Sequence, residues 1–276
     1  MQVTQHVLGI PVGERDNVVY LISGERALFI DAGYEVQADV DLLVQRWDES
    51  GRLPVQAIVV THRHPDHAGG AQMLADATNS VVAATAVEKP FIEEAFPGTI
   101  VGRTVANRES LDLGGVTLEF IHTPGHTMGS ICVYQHEEGV LFTGDTVLGT
   151  GTTTINPEQG DMGDYIESLR LLMGFGAGII CPGHGAPINE PRAKLQEAIG
   201  RRLSREQDIL GLISGGARTV EHLFAKLYPS IEPHLYVAAH RQIQAHLVKL
   251  ERDGLISFEG EWFDSALSHK TKGRAL

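Results

Sequence analysis

AIVVTHRHPDHAGG, residues 57–70, decides how this chain is read. Ala57-Ile58-Val59-Val60 has the makeup of a buried β-strand. Directly after it, His62, His64, Asp66 and His67 fall within six positions. One histidine beside a strand is usually a satisfied polar side chain. Four potential ligands on one tight turn cost packing and charge repulsion, and a metal is the compensating gain that such side chains offer. The His-x-His pair His62-Arg63-His64 suits an extended segment, where alternate residues point the same way. Asp66 and His67 then face a second position.

Three more candidates share that setting. His126 follows a Pro-Gly turn in TPGHTMGS, Asp145 closes VLFTGD, and His184 closes GIICPGHG. Each stands where an apolar β run ends beside glycine or proline, and strand ends that meet at one sheet edge can bring ligands from distant segments together. Cys181, three residues before His184, reads as a small buried hydrophobe rather than a ligand. Seven positions in matching contexts point to a metal centre.

The rest of the chain is consistent with one large catalytic unit and a small appendage. At 276 residues and 42% apolar composition it is long enough for a sizeable core. No apolar run approaches the roughly 20 residues of a membrane span, and MQVTQHVLGIPVG lacks the pattern of a secretory signal. Two cysteines, Cys132 and Cys181, allow at most one disulfide. A cytoplasmic protein with no membrane partner is expected; oligomeric state is left open.

Residues 1–185 carry 9 Lys+Arg and 24 Asp+Glu, a balance of −15, whereas residues 186–276 carry 13 and 11, a balance of +2. The break in charge coincides with a break in pattern. Before it run short β segments (17–23, 27–33, VVAAT, VTLEFIHT, SICVYQ, VLFTGDTV) with interleaved helices at 37–50, roughly 69–78 and DYIESLRLLMGF. That is the pattern of a layered sheet protein covered by helices. After it come one long helix behind Pro191, a short helix capped by Thr219, and a helix ending at Gly254. Two short β runs around Glu259-Gly260 follow, which is the layout of a winged helix. The expected units are a catalytic domain at 1–188 and a linking helix with winged-helix domain at 189–276. In the last helix Ile243, Leu247 and Leu250 must face a core, while Arg241, Lys249 and Arg252 lie on another stripe that reads first as a solvated charged face.

HxHxDH at 62–67, His126 in TPGHT, Asp145 in TGD, His184 in PGHG and the early Asp31-Ala32-Gly33 together resemble the metallo-β-lactamase superfamily. The resemblance implies an α/β fold, a four-layer αβ/βα sandwich with two sheets face to face and two metals at one edge. It implies His62, His64 and His126 on one ion, Asp66, His67 and His184 on the other, and Asp145 bridging. The ions are two divalent metals, zinc foremost and manganese or iron as alternatives. Such a pair activates water and stabilises developing negative charge, with Asp66 orienting the nucleophile or accepting its proton. A hydrolase is expected.

The C-terminal stretch TVEHLFAKLYPSIEPHLYVAAHRQIQAHLVKLERDGLI and GDTVLGTGTTTI resemble the branch called β-lactamase-like protein 2. Its animal members are mitochondrial endoribonucleases, and fungal relatives act as thioesterases on carrier proteins. Cleavage of single-stranded RNA is the leading expectation, with Arg241, Lys249 and Arg252 on the phosphate chain and Thr152 lining the pocket. The alternative is hydrolysis of a small thioester or lactone, as in glyoxalase II-like or acyl-carrier enzymes, with β-lactam turnover at most promiscuous. A non-catalytic nucleic-acid sensor is a remote third reading.

Overall fold

The computed structural model describes residues 1–13 and 16–257. Its first sheet contains β1 (Val7–Pro11), β2 (Val18–Ser23), β3 (Ala27–Ile30), β4 (Val55–Val59), β5 (Val82–Thr85) and β6 (Val101–Val105), hydrogen-bonded in that order. β1 to β3 form an antiparallel meander, and β3 to β6 run parallel. Parallel neighbours need crossovers, supplied by α1 (Gln37–Glu49), the pair α2 (Pro65–Ala68) and α3 (Ala71–Thr78), and α4 (Lys89–Ala95).

The second sheet contains β7 (Ser110–Asp112), β8 (Thr117–His122), β9 (Ile131–Gln135), β10 (Val140–Gly144) and β11 (Ile179–Pro182), in the spatial order β11-β10-β9-β8-β7. α5 (Met162–Met173) carries the chain from β10 to its parallel neighbour β11. The C-terminal part holds α6 (Pro191–Ser214), α7 (Val220–Leu227), a 3-10 turn (Pro233–Leu235) and α8 (Tyr236–Arg252). Pro191 opens α6 and the Thr219 hydroxyl accepts the His222 amide at 3.1 Å, both as the sequence indicates.

Alternation along each strand sorts side chains into layers. Tyr20, Ile22, Leu28 and Ile30 meet Leu118, Phe120 and Phe142 of the opposite sheet. Leu21 and Phe29 point the other way, onto Leu43 of α1 and Leu74 of α3. Ile121, Leu141 and Ile180 carry Leu169 of α5, Leu195 of α6 and Ala245 of α8. The result is the expected four layers, helix–sheet–sheet–helix. The strands read as continuous apolar runs because both faces are covered. Ile243, Leu247 and Leu250 pack with Ile209 and Leu223 in a separate C-terminal core. The expected β runs around Glu259-Gly260 lie outside the described residues.

The sequence pattern gives one helix at about 69–78, which is α3 (Ala71–Thr78). The structure adds the separate turn α2 (Pro65–Ala68) before it, and that turn carries Asp66 and His67. Strands β1, β6 and β7 and helix α4, too short or too weakly patterned to stand out, complete the sheets and crossovers.

Candidate metal centre

The seven expected ligands converge at one edge of the sandwich. His62 and His64 leave the end of β4, Asp66 and His67 sit in α2, His126 lies between β8 and β9, and Asp145 and His184 follow β10 and β11. His64 is extended and Pro65 opens α2, so the chain switches from alternating to helical geometry within HxHxDH. The first two ligands therefore face one locus and the next two a second. His62, His64, His126 and Asp145 form one group of converging ligand atoms, and Asp66, His67 and His184 another.

The geometry tests whether these groups suit metals. Thr61 donates its hydroxyl to Asp31 Oδ2 at 3.0 Å, so the His62 Nδ1–H must donate to Thr61 Oγ1, 3.1 Å away. His64 Nε2 donates to Gln159 Oε1 at 3.2 Å, and His126 Nδ1 donates to the Thr154 carbonyl at 2.9 Å. These bonds leave bare lone pairs on His62 Nε2, His64 Nδ1 and His126 Nε2. His64 Nδ1 lies 2.9 Å from the first and 3.0 Å from the last. Three lone pairs aimed at one point repel one another unless a cation lies between them. Outer-face hydrogen bonds that fix imidazole tautomers are the usual support of metal-binding histidines.

The second group behaves similarly. His67 Nδ1 donates to Asp31 Oδ2 at 2.7 Å. Its Nε2 and Asp145 Oδ1 are buried without a hydrogen-bond partner among the described residues, 3.3 Å apart. His184 Nε2 lies 3.1 Å from Asp66 Oδ2 and 3.5 Å from Asp145 Oδ1. Asp145 Oδ2 points the other way, 3.8 Å from His126 Nε2, so its two oxygens serve the two groups. The residues would suit divalent ions, with Asp145 presenting one oxygen toward each group. A Cβ at Gly183 would stand 2.6 Å from the His67 ring, so only glycine leaves room there.

Charge within the cluster divides the histidines. Burial and the neighbouring imidazoles hold His62 well below the ordinary histidine range, and burial takes His126 down to about 4. Burial acts the same way on His67, but Asp31 and Asp145 outweigh it and raise the group well above its ordinary value. His184 is raised despite burial by its hydrogen bond to Asp66. Asp66 is lowered against burial by that same bond, and Asp145 is lowered against burial chiefly by His67.

Two supporting residues escaped the sequence reading as parts of the site. Asp31, at a left-handed φ of 63°, also accepts the Thr61 amide at 2.7 Å and so fixes the end of β4. Its Asp-Ala-Gly context was the available signal. Glu88 is fully buried and accepts from the Arg63 amide and guanidinium, the Thr127 hydroxyl and the Gly129 amide. It thereby ties the segment carrying His62 and His64 to the one carrying His126. Nothing in its local sequence announces that role.

The expected substrate residues scatter. Thr152 is exposed on the loop after β10, and Arg241 is exposed with no ion pair among the described residues. Lys249 is largely covered and bonds Glu206 at 3.1 Å and Asp253 at 2.7 Å. Arg252 bonds Asp161 at 2.9 Å. The stripe is thus only partly a solvated face. Cys181 is buried and stands apart from both ligand groups.

Comparison with known proteins identifies the family. The chain matches the metallo-beta-lactamase superfamily over residues 12–184 and the beta-lactamase associated winged helix domain over residues 219–264. It belongs to the metallo-beta-lactamase superfamily, and it is a hydrolase of that class with a C-terminal winged helix domain. A beta-lactamase-like protein 2 homolog of Drosophila melanogaster is 31% identical over 251 residues, covering 86% of this chain and 82% of that one. An atrochrysone carboxyl ACP thioesterase of Aspergillus fumigatus is 28% identical over 268 residues, covering 90% of this chain and 81% of that one. In fold, a beta-lactamase domain protein from Burkholderia ambifaria superposes with a TM-score of 0.83 at 20% identity, over 94% of this chain and 89% of that one.

Proposed function

We propose that the protein is a binuclear-metal hydrolase of acyl thioesters, with two divalent ions, zinc foremost, held by His62, His64 and His126 on one side, Asp66, His67 and His184 on the other, and Asp145 between. One observation carries the choice of substrate. Beside the centre, a groove of about 630 Å³ includes Gln159, the partner of His64, and is walled by Val87, Phe91 and Met128, all exposed apolar side chains. Its charged residues are Glu94, Glu158 and Arg63, and the Arg63 guanidinium is fixed on Glu88 at 2.7 and 2.8 Å. An acidic, apolar groove suits an uncharged acyl group and repels a polyanion.

The expected RNA reading draws on Arg241, Lys249 and Arg252. Lys249 and Arg252 are engaged with Glu206, Asp253 and Asp161, which leaves Arg241. The Aspergillus fumigatus relative is itself named a thioesterase. No helix among the described residues is long and apolar enough to cross a membrane. The two cysteines are buried free thiols, and we assign the protein to the cytoplasm on that ground. The division at residue 188 belongs to the same proposal.

When bound, the ions supply Lewis acidity toward the carbonyl oxygen and make water acidic enough to attack near neutral pH. Water adds to the carbonyl carbon, the C–S bond breaks, and a carboxylic acid and a thiol leave. Asp66, whose second carboxylate oxygen is open to the reacting water, would take the water proton and return it to the departing sulfur. Asp31 and Gln159 hold the His67 and His64 rings in place. Val87, Phe91 and Met128 cover the acyl chain and exclude solvent.

The test offers metal-replete protein a phosphate-free aryl thioester, a lactone, single-stranded RNA, a chromogenic phosphodiester and a β-lactam. The thioester should exceed each of the others in kcat/KM by about tenfold or more, equivalent to about 1.4 kcal/mol of transition-state free energy. Efficient RNA cleavage with an inert thioester would overturn the proposal.

A further inference from the structure

A second hollow, of about 710 Å³, lies between α6, α8 and the loop after β10. One wall is cationic, with Arg201, Arg202 and Arg205 beside one lining carboxylate, Asp208, and Arg201 shares an exposed ion pair with Glu197 one turn back on α6 that a phosphate would have to displace. That concentration is notable beside a segment, residues 1–185, whose own balance is −15. Arg205 lies over the Tyr228 ring at 4.7 Å and has no ion-pair partner among the described residues. The facing wall is apolar, formed by Ile231, Leu235, Ala238 and Ala239.

Two side chains of α8 line the cleft with unanswered hydrogen-bonding atoms. His246 is 1% exposed and Gln242 9%. Neither His246 ring nitrogen nor Gln242 Oε1 has a hydrogen-bond partner among the described residues; Glu206 Oε1 is 3.5 Å from His246 Nδ1. Burial keeps His246 below its ordinary range, so its neutral ring offers one donor and one acceptor. Buried polar groups left without partners are uncommon and point to a ligand or water.

The cleft is tied to the metal centre. Arg202 Nη2 and Gln242 Nε2 each donate to the Thr153 carbonyl at 2.6 Å, and the Thr153 hydroxyl donates to the Asp145 carbonyl at 2.8 Å. Thr154 lines the cleft and its carbonyl accepts from His126. Farther along the same loop, Glu158 and Gln159 border the apolar groove. The loop is therefore flanked by a groove suited to an acyl group and a cleft suited to an amphipathic anion, and on each side it touches a metal-ligating histidine.

We propose that this cleft binds the thiol-side arm of the substrate, a phosphate-bearing chain of the phosphopantetheine type. Arg201 and Arg205 take the phosphate, Ile231, Leu235 and Ala239 cover the aliphatic carbons, and Gln242 Oε1 and His246 meet the amide groups. The inference rests on the thioester reading of the centre. A phosphate followed by an aliphatic chain with amides matches one cationic wall, one apolar wall and neutral hydrogen-bonding groups between them.

The test is calorimetric titration of the metal-replete full chain with 4′-phosphopantetheine, pantetheine and adenosine monophosphate. The phosphorylated arm should bind about tenfold or more tighter than pantetheine, as expected for charge-assisted hydrogen bonds, and tighter than the nucleotide. Arg205→Gln should remove most of that difference, and Arg201→Gln, at an exposed position, provides the second variant. Equal binding of the phosphorylated and unphosphorylated arms, or of the nucleotide and the arm, would overturn the inference. So would a phosphate preference untouched by both variants. Turnover of a phosphate-free thioester without any phosphate preference in binding overturns the cleft and leaves the thioesterase standing. Specific binding of the arm with no thioester turnover supports the cleft and overturns the thioesterase.

Discussion

Glu88→Gln is the sharpest probe of how the metal centre is held. The carboxylate receives Arg63 N at 2.9 Å and Nε at 2.7 Å on one oxygen. The other receives Arg63 Nη2 at 2.8 Å, Thr127 Oγ1 at 2.9 Å and Gly129 N at 3.0 Å. The side chain of Glu88 is 0% exposed and that of Arg63 11%, so water cannot replace what is lost. Glutamine keeps the volume but turns one acceptor into a donor facing other donors, and leaves the guanidinium without its counter-charge. Breaking a buried ion pair from one side costs about 3–5 kcal/mol. At about 2–4 °C per kcal/mol for a domain of this size, the melting temperature of metal-free protein should fall by roughly 6–20 °C. Because Arg63 lies between His62 and His64 and Thr127 follows His126, affinity for the ion on those three histidines should weaken by roughly 10–100-fold. Calorimetry and a chelator-competition titration read the two effects separately, with the exposed Glu251→Gln as control, expected within about 0.5 kcal/mol of the parent. A Glu88→Gln protein melting within about 2 °C of the parent, with unchanged metal affinity, would refute the reasoning.

Two further predictions concern the ions themselves. Asp66→Asn should lose most hydrolysis yet retain the ion on His62, His64 and His126, checked by elemental analysis alongside turnover; near-parental rates with both ions present would remove Asp66 from the chemistry. His67 and His184 have raised pKa values and hold their protons to higher pH, so an ion must displace those protons, whereas the lowered His62 and His126 offer free lone pairs at neutral pH. On acidification from about pH 8 to about pH 5, the ion on Asp66, His67 and His184 should therefore leave first. Native mass spectrometry across that range reads the order, and loss from the three-histidine group first would contradict it.

The sequence by itself marked the seven candidate ligands and determined the layered fold and the C-terminal helices, because each is written locally. Ligands sit at the ends of apolar runs, the strands are continuous stretches buried on both faces, and Thr219 and Pro191 mark helix starts. The short strands β1, β6 and β7 carry too little periodicity to be seen alone and form because neighbouring strands supply their hydrogen bonds. Only the tertiary structure decided what surrounds the ligands. Glu88 is an ordinary acidic residue in sequence and becomes part of the site because Arg63, Thr127 and Gly129 are brought to it from 25 to 41 residues away. Lys249 and Arg252 look like a solvated basic stripe until Glu206 and Asp161, from distant segments, neutralise them. Nothing in the spacing of Arg202, Gln242 and His246 announces a binding site, yet folding gathers them against Thr153 and Thr154 beside the candidate metal centre. A motif records which atoms can bind a metal, whereas the charge and shape a substrate meets are sums over residues that only folding makes neighbours.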